Sequence, residues 1–422
     1  MKFLRTVSSG RLLATILGLV VAIAAGTAIA VAAAGPGPVP KAEPLAQALH
    51  GALSAPKVAG ITANVSFTNG LISSTDFTGG RTDPILQGAT GRLWLSDHAA
   101  RLELQSANGD AQVLVNQHSF WVSDPSSNTV YEGTLPADLA AKGGGTTDHG
   151  VKSDGAKSDG IPSVAKIQTE LNQLMAHVNV SGATPSDVAG RPAYTVQVSP
   201  KHDGGLLGSA QIAWDAIRGV PLRVAVYARG NTTPVLELKA TNISYGAVPA
   251  SDFAVTPPAG AKVVRISPSS RAGGADAHSK KSGGHRELSG TAAVSAALPF
   301  KLVAPTTLVG LPRHAVKGLD WGGKPAALVT YGENLGGIVV IEQVADPASA
   351  KSSSGQGAPS QGDSSHGGSG HLSLPTVSIN GATGQELDTA LGTVVRFTRD
   401  GVAYTVLGSV PATAADAAAR AL

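Results

Sequence analysis

The stretch QIAWDAIRGVPLRVAVYARGNTTPVLELKATNISYGAVPASDFAVTPPAGAKVV, residues 211–264, decides the fold. It reads as three strands in succession: a short one ending at Trp214 and Asp215, a second over Leu222–Ala228 and a third over Pro234–Tyr245. Arg218-Gly219-Val220-Pro221 and Arg229-Gly230-Asn231 each supply a glycine where the chain must reverse, and apolar residues at alternate places suit a half-buried antiparallel sheet. Turns this short make a meander, because a parallel βαβ crossover needs about a dozen residues or more.

Working outward, Gly60–Thr68 alternates cleanly, apolar at odd positions and polar at even ones, as a sheet with one wet face should. Arg92–Ser96, Arg101–Gln105, Ala111–Val115 and Ser119–Ser123 follow at intervals of about ten residues, the spacing of short strands in a sandwich or barrel. Phe67, Leu93, Leu95, Leu102, Leu104, Val113 and Val115 form one candidate apolar face, and Trp94, Trp121 and Tyr131 are assigned to the other. Either face of such a sheet can be the concave one.

These residues carry a resemblance. The strand end Trp214-Asp215, the turn Gly219-x-Pro221-Leu222-Arg223, the strand ending Asn242-Ile243-Ser244-Tyr245, then Val248-Pro249-x-x-x-Phe253 and Pro257-Pro258-x-Gly260 resemble the closing strands of the LolA family and the related RseB/MucB family. The resemblance spans roughly residues 42 to 266. It implies a half-open antiparallel β-barrel, partly closed by helices, whose concave face holds the acyl chain of a lipid or lipoprotein. A small mixed domain after such a half-barrel is the RseB/MucB order, which implies a second partner, the extracytoplasmic part of an anti-sigma factor or other membrane regulatory protein.

Lys2, Arg5 and Arg11 precede an uncharged apolar run, Leu12–Ala34, followed by the Pro/Gly spacer 35–41. Twenty-three residues suffice to span a bilayer, while Ala28-Ile29-Ala30 and Ala32-Ala33-Ala34 offer a signal peptidase its small-x-small pattern. Residues 1–34 are thus either a signal peptide cleaved near Ala30 or Ala34 or a retained anchor, and the body is expected to be extracytoplasmic in both cases. The absence of cysteine from all 422 residues excludes disulfides, thiolate metal sites, a thiol nucleophile and a lipidated cysteine. With a net charge of only +3 and basic residues scattered among acidic ones, no stripe could track phosphates, so nucleic acid is not an expected partner.

Ala42–Ala55 reads as a helix with Leu45, Leu49 and Leu53 on one face, stopped by Pro56. Residues 140–160 are rich in Gly, Ser, Lys and Asp and predict a mobile loop. Out of it rises a helix over Ile161–Val178, with Val164, Ile167, Leu171, Leu174, Met175 and Val178 at helical spacing. It occupies the place of the lid in LolA-like proteins. Ile167, Leu171, Leu174 and Met175 either close over an acyl chain or pack down permanently.

Residues 267–287 read as a linker, and 288–422 as a small α+β domain interrupted by a low-complexity insert, 346–370. Within it the pattern predicts a helix over Ser289–Leu298, strands over Pro299–Val303, Lys324–Tyr331, Gly336–Val344, Thr393–Thr398 and Val402–Leu407, and helices over Gln385–Leu391 and Ala412–Leu422. Asp320-Trp321-Gly322-Gly323 either offers an aromatic anchor to a partner or caps a small core. The expected fold class is therefore mainly β with α: a signal or membrane-spanning segment, a half-open β-barrel with a helical lid, and a small α+β domain.

No catalytic signature stands out. The chain has no Gly-x-Ser-x-Gly elbow, His-Glu-x-x-His pair, Walker loop or strand-linked Gly-x-Gly-x-x-Gly, and Gly362-Asp363-Ser364 sits in a Ser/Gly tract with His366 and His371, where nothing fixes a geometry. No cofactor or metal is expected. The expectation is a binding protein, not an enzyme.

Overall fold

The structure, a computed structural model, describes residues 39–72, 88–105, 110–125, 127–135, 161–266, 288–321, 324–345 and 374–422. The apolar run 12–34, the loop 140–160, the linker 267–287, the insert 346–370 and the side chain of Trp321 lie outside the described residues.

Thirteen strands between Gly60 and Ile266 form one large sheet. They are β1 (Gly60–Asn69), β2 (Gly88–Ser96), β3 (Ala99–Gln105), β4 (Ala111–Asn116), β5 (Ser119–Asp124), β6 (Thr129–Thr134), β7 (Val178–Val180), β8 (Thr184–Val188), β9 (Arg191–Pro200), β10 (Leu207–Asp215), β11 (Pro221–Ala228), β12 (Leu236–Tyr245) and β13 (Lys262–Ile266). Across the sheet they run β13-β6-β5-β4-β3-β2-β1-β12-β11-β10-β9-β7, with β8 also on β9. All pairs are antiparallel except β13 on β6. A sheet this wide accumulates strand twist and curls into a half-barrel.

Register sorts the side chains, because directly opposed residues share a face. One row runs Ile243, Ala63, Leu93, Leu102, Val113, Val122, Tyr131 across seven strands. The neighbouring row, Thr62, Trp94, Arg101, Leu114, Trp121, Glu132, faces the other way. Trp94 and Trp121 therefore lie on the second face as expected, but Tyr131 does not: it opposes Val122 and packs on the apolar core. The register, which opposes it to Val122, puts its ring on the first face.

Helix α1 (Leu45–Ser54) lays Leu45, Ala48, Leu49 and Ala52 on Tyr194, Val196 and Trp214 of β9 and β10. Helix α2 (Val164–Leu174) begins at Ser163, whose Oγ accepts the Lys166 N–H, and packs against α1. It is shorter than Ile161–Val178 because Val178–Val180 pairs with β9 as a strand. The hairpin β8–β9 went unread in the sequence because Pro185, Pro192 and Pro200 argue against strands. They are tolerated because β8 and β7 each cover only part of β9, at the margin of the sheet.

A second, eight-stranded sheet holds β14 (Thr307–Leu308), β15 (Leu311–Trp321), β16 (Lys324–Tyr331), β17 (Ile338–Val344), β18 (Thr376–Ile379), β19 (Ala382–Thr389), β20 (Gly392–Arg399) and β21 (Val402–Gly408), in the order β14-β15-β16-β17-β21-β20-β19-β18. Helices α3 (Thr291–Ala297) and α4 (Ala412–Ala421) cover it, α4 through the fully buried Ala415, Ala418 and Ala419. Two expectations fail here. Gln385–Leu391 is not a helix: Asn380 and Gly381, both at positive φ, turn β18 into β19, and the ladder to β20 claims the segment as a strand. Pro299–Val303 is not a strand but a strap whose Phe300, Leu302 and Val303 pack on the second core. The sheet position is filled instead by β15, unread because Gly318 and His314 break its pattern.

The two sheets touch along a seam. Leu206 donates its N–H to Ser409 O at 2.9 Å and Oγ at 3.0 Å, and Ala390 donates to Leu71 O at 2.9 Å. Gly205 makes the approach possible: at φ +60, a Cβ there would stand 2.1 Å from Ser409 O.

Candidate functional site: the apolar face of the large sheet

The face that carries the first row gathers one core: Ile61, Ala63, Val65, Phe67, Leu95, Leu102, Leu104, Val113, Val122, Leu222 and Ile243 are buried in it, with Leu93, Val115, Phe120 and Tyr131 partly buried against it. The structure thus brings together on one face all seven sheet residues singled out from sequence. Leu93 and Leu95 also line a depression, together with Ile61, Ala63, Val65, Leu222, Val224, Leu238, Ala240 and Ile243 and the Val220-Pro221 turn. Phe67, Leu102, Leu104, Val113 and Val115 surround it without lining it. Strand β11 and Ala240 of β12 were missed as wall residues, and the alternation of Val220, Leu222 and Val224 is the signal that would have found them.

A depression walled by four neighbouring strands, β2, β1, β12 and β11, requires the sheet to bend around it. Two register shifts supply the bend. One lies between β1 and β12 at Asn64/Val65, the other between β10 and β11 at Ala213/Trp214. A bulge bends its strand, and residues 220 to 224 border the depression. The space is about 40 Å³, room for a few water-sized groups. Its one charged residue is Arg223, whose guanidinium is held by Glu237, by Gln211 Oε1 at 2.7 Å and by Tyr227 Oη at 2.6 Å.

The four expected lid residues sit elsewhere. Ile167 is buried in α2, Leu171 and Met175 are half-buried, and Leu174 is 46% exposed. The walls of the depression come from strands and the turn before β11, while α2 packs on α1.

The motif residues of the resemblance have structural work at one end of this face. Asp215, fully buried, accepts the N–H groups of Ile217 and Arg218 through Oδ1 at 2.8 and 2.9 Å and the Tyr245 hydroxyl through Oδ2 at 2.7 Å. Arg218 and Arg191 lie over the Tyr245 ring, at 4.4 and 5.3 Å from its centroid. Burial first, then the Asp215 charge, pushes the Tyr245 hydroxyl well above its ordinary value, so it stays a donor. Gly219, at φ +66, lets the turn meet α1, where a Cβ would stand 2.3 Å from Ala52 O.

A second, open crevice of about 860 Å³ lies where Leu71 faces the second sheet, lined among others by His314, Leu335, Val339, Val394 and Leu407. Among the described residues no group of three or more His, Asp or Glu side chains could hold a metal ion, and no helix is long and apolar enough to cross a membrane.

No protein-family model and no curated protein matches the sequence. Among solved structures, the chain is similar to the MucA/MucB complex structure of Pseudomonas aeruginosa, at 17% identity and a TM-score of 0.37 over 89% of this chain and 94% of that one. It is also similar to an uncharacterized conserved protein from Thermus thermophilus, at 10% identity and a TM-score of 0.29 over 53% of this chain and 97% of that one. A LolA superfamily protein from Nitrosomonas europaea is a further likeness, at 10% identity and a TM-score of 0.20 over 51% of this chain and 99% of that one. The structural likenesses thus include the two groups that the closing strands of the large sheet resemble, MucB-like and LolA-like.

Proposed function

We propose that the chain is an exported, non-enzymatic binding protein that holds an acyl chain of a lipid or lipoprotein on the apolar face of its half-barrel. The observation that carries this is the depression itself, walled by apolar side chains from four strands and bent open by two bulges. Burying a methylene is worth roughly 0.8 kcal/mol, so ten methylenes give about 8 kcal/mol without any polar contact. The closed space of about 40 Å³ is too small for such a chain, so binding parts the walls, Leu93 and Leu95 on one side and Leu222 and Val224 on the other. Residues 1–34 deliver the body outside the cytoplasm, and the domain boundaries follow the two sheets, 42–266 and 288–422.

The test is native mass spectrometry with lipid extraction on the chain produced with its own export segment and purified without detergent. An acyl species that is retained by the natural chain and lost in Ala240→Leu, which fills the depression, supports the reading. An apoprotein that also refuses added fatty acids and diacyl lipopeptides overturns it.

A second reading is favoured by the crevice: its 860 Å³ and the exposed Leu335 and Val394 suit a segment of a membrane regulatory protein. Pull-down of a membrane protein that Leu335→Asp abolishes, with lipid retention unchanged, would support it. Capture that Leu335→Asp leaves intact would count against the crevice as the docking site.

A further inference from the structure

Half of the large apolar side chains most exposed among the described residues cluster at one corner. Val39 is 54% exposed, Leu53 42%, Ile161 55%, Val164 39%, Leu174 46% and Ile217 45%. Leu53, Ile161, Val164, Leu174 and Ile217 belong to adjoining pieces of structure, and Val39 lies two residues before Lys41, whose carbonyl accepts the hydroxyl of Tyr194 beneath α1. Helices α1 and α2 pack together, the carbonyl of Pro162 lies 2.9 Å from His50 Nδ1 in α1, and Ala52 of α1 meets the 215–219 turn that carries Ile217. In α2 the apolar stripe 164, 167, 171, 174 is covered at its middle, fully at Ile167 and in part at Leu171, and its two ends stand open. Lys166 and Glu170, both exposed on α2, offset one another, and Lys201, whose Nζ donates to Met175 O at 3.0 Å, adds a positive charge beside the stripe.

The sequence says what lies next to this corner. The uncharged apolar run ends at Ala34, five residues before Val39. At ~3.4 Å per residue, a bilayer spanned by that run stands within ~17 Å of Val39. An apolar patch held this close to lipid, with Lys201 at its margin, fits the headgroup boundary, where apolar side chains enter and a lysine stem reaches back to the phosphates.

We propose that the α1–α2 corner is a membrane-docking surface, which lies on the bilayer from which the chain emerges and seats the half-barrel against lipid. The inference rests on the retained-anchor form of the proposed function. It places the apolar face next to its source of acyl chains, and it gives α2 a role that lining the depression does not.

Because the chain has no cysteine, single cysteines can report each position. The full chain is reconstituted into nanodiscs of equimolar phosphatidylethanolamine and phosphatidylglycerol, with an NBD fluorophore on L53C, V164C or L174C, and on V309C and L335C in the second domain as exposed references. The expected result is blue-shifted NBD at 53, 164 and 174 that brominated lipid quenches at least twofold more than at 309 and 335. Equal quenching at all five overturns the docking surface. If the chain isolated from the producing cell has lost residues 1–34, the anchor fails as a reading and the surface is then tested directly on that chain. Co-sedimentation with vesicles of the same composition, lost in a triple L53D, V164D, L174D variant that keeps its β-sheet spectrum, upholds the surface; absence of co-sedimentation overturns it.

Discussion

Glu342 offers the sharpest test of the second sheet. It lies on the core face of β17 with no exposed surface, Oε2 accepting the Val303 N–H at 3.0 Å and Oε1 without a hydrogen-bond partner. Burial pushes its carboxyl up to about 7 from the ordinary 4.5, against the opposing pull of the Val303 N–H. The folded state thus holds a proton that the unfolded chain releases. Below about pH 4 both states are protonated and there is no penalty. Between about 4.5 and 7 stability falls as pH rises, and above about 7 the loss is complete at about 3 kcal/mol, from ~1.36 kcal/mol per pKa unit. Glu342→Gln keeps an acceptor for Val303 and never ionises. Urea unfolding of the natural chain and Glu342→Gln, compared at pH 4 and pH 8, should show little difference at the lower pH. At the higher pH the variant should be more stable by about 3 kcal/mol, with unchanged m. A variant no more stable at pH 8, or an advantage equal at both pH values, would refute the reasoning.

Asp215→Ala removes the acceptor of three hydrogen bonds and leaves Arg191 and Arg218 around a buried hole, so a loss of about 3–5 kcal/mol is expected in chemical denaturation. If the loss is under about 1 kcal/mol, the cluster is not what fixes the β10–β11 turn. Gly219→Ala forces a Cβ against Ala52 O at positive φ, and its cost of at least about 1 kcal/mol should come with faster hydrogen exchange in α1, while Gly230→Ala, with open space at φ +80, loses only the conformational part. Gly205→Ala should loosen the seam, read as a higher proteolytic susceptibility near Leu206 with both sheets still folded; an unchanged digestion pattern would show that the seam tolerates the intrusion.

The large sheet was legible in the sequence because its strands alternate over one buried face. Gly60–Thr68 and the segments near 92, 101, 111 and 119 fall within a few residues of β1 to β5, and the three closing strands within a few of β10 to β12. Local patterning reaches that far and stops. Tyr131 was misplaced because its face is set by the partner Val122, information that lies in the register and not in the residue. Gln385–Leu391 has helix-forming residues, but two tight turns and two neighbouring strands outweigh a propensity worth less than about 1 kcal/mol per residue. The Asn380-Gly381 dipeptide was the available hairpin signal.

The wall of the candidate site was harder to read for a different reason. A regular strand shows one face every second residue, so a sequence reading assigns 220, 222 and 224 to one side and 221 and 223 to the other. Val220, Leu222 and Val224 keep that order at the wall, while the Arg223 guanidinium is held by Glu237, Gln211 and Tyr227, which do not line it; what the sequence does not show is the bend that the bulge opposite Trp214 puts in the sheet. The β1–β12 shift works alike: β12 passes from Asn242 to Ala240 while β1 passes from Asn64 to Val65, and the extra Thr241 turns outward, its Oγ1 donating to Asn64 O at 3.2 Å. Because each bulge leaves a residue unpaired, it also removes interstrand hydrogen bonds from the β1–β12 and β10–β11 ladders. Between Leu95 and Leu222 the depression is thus lined by apolar side chains apart from Arg223, and the bend that shapes it comes from the backbone more than from any single residue.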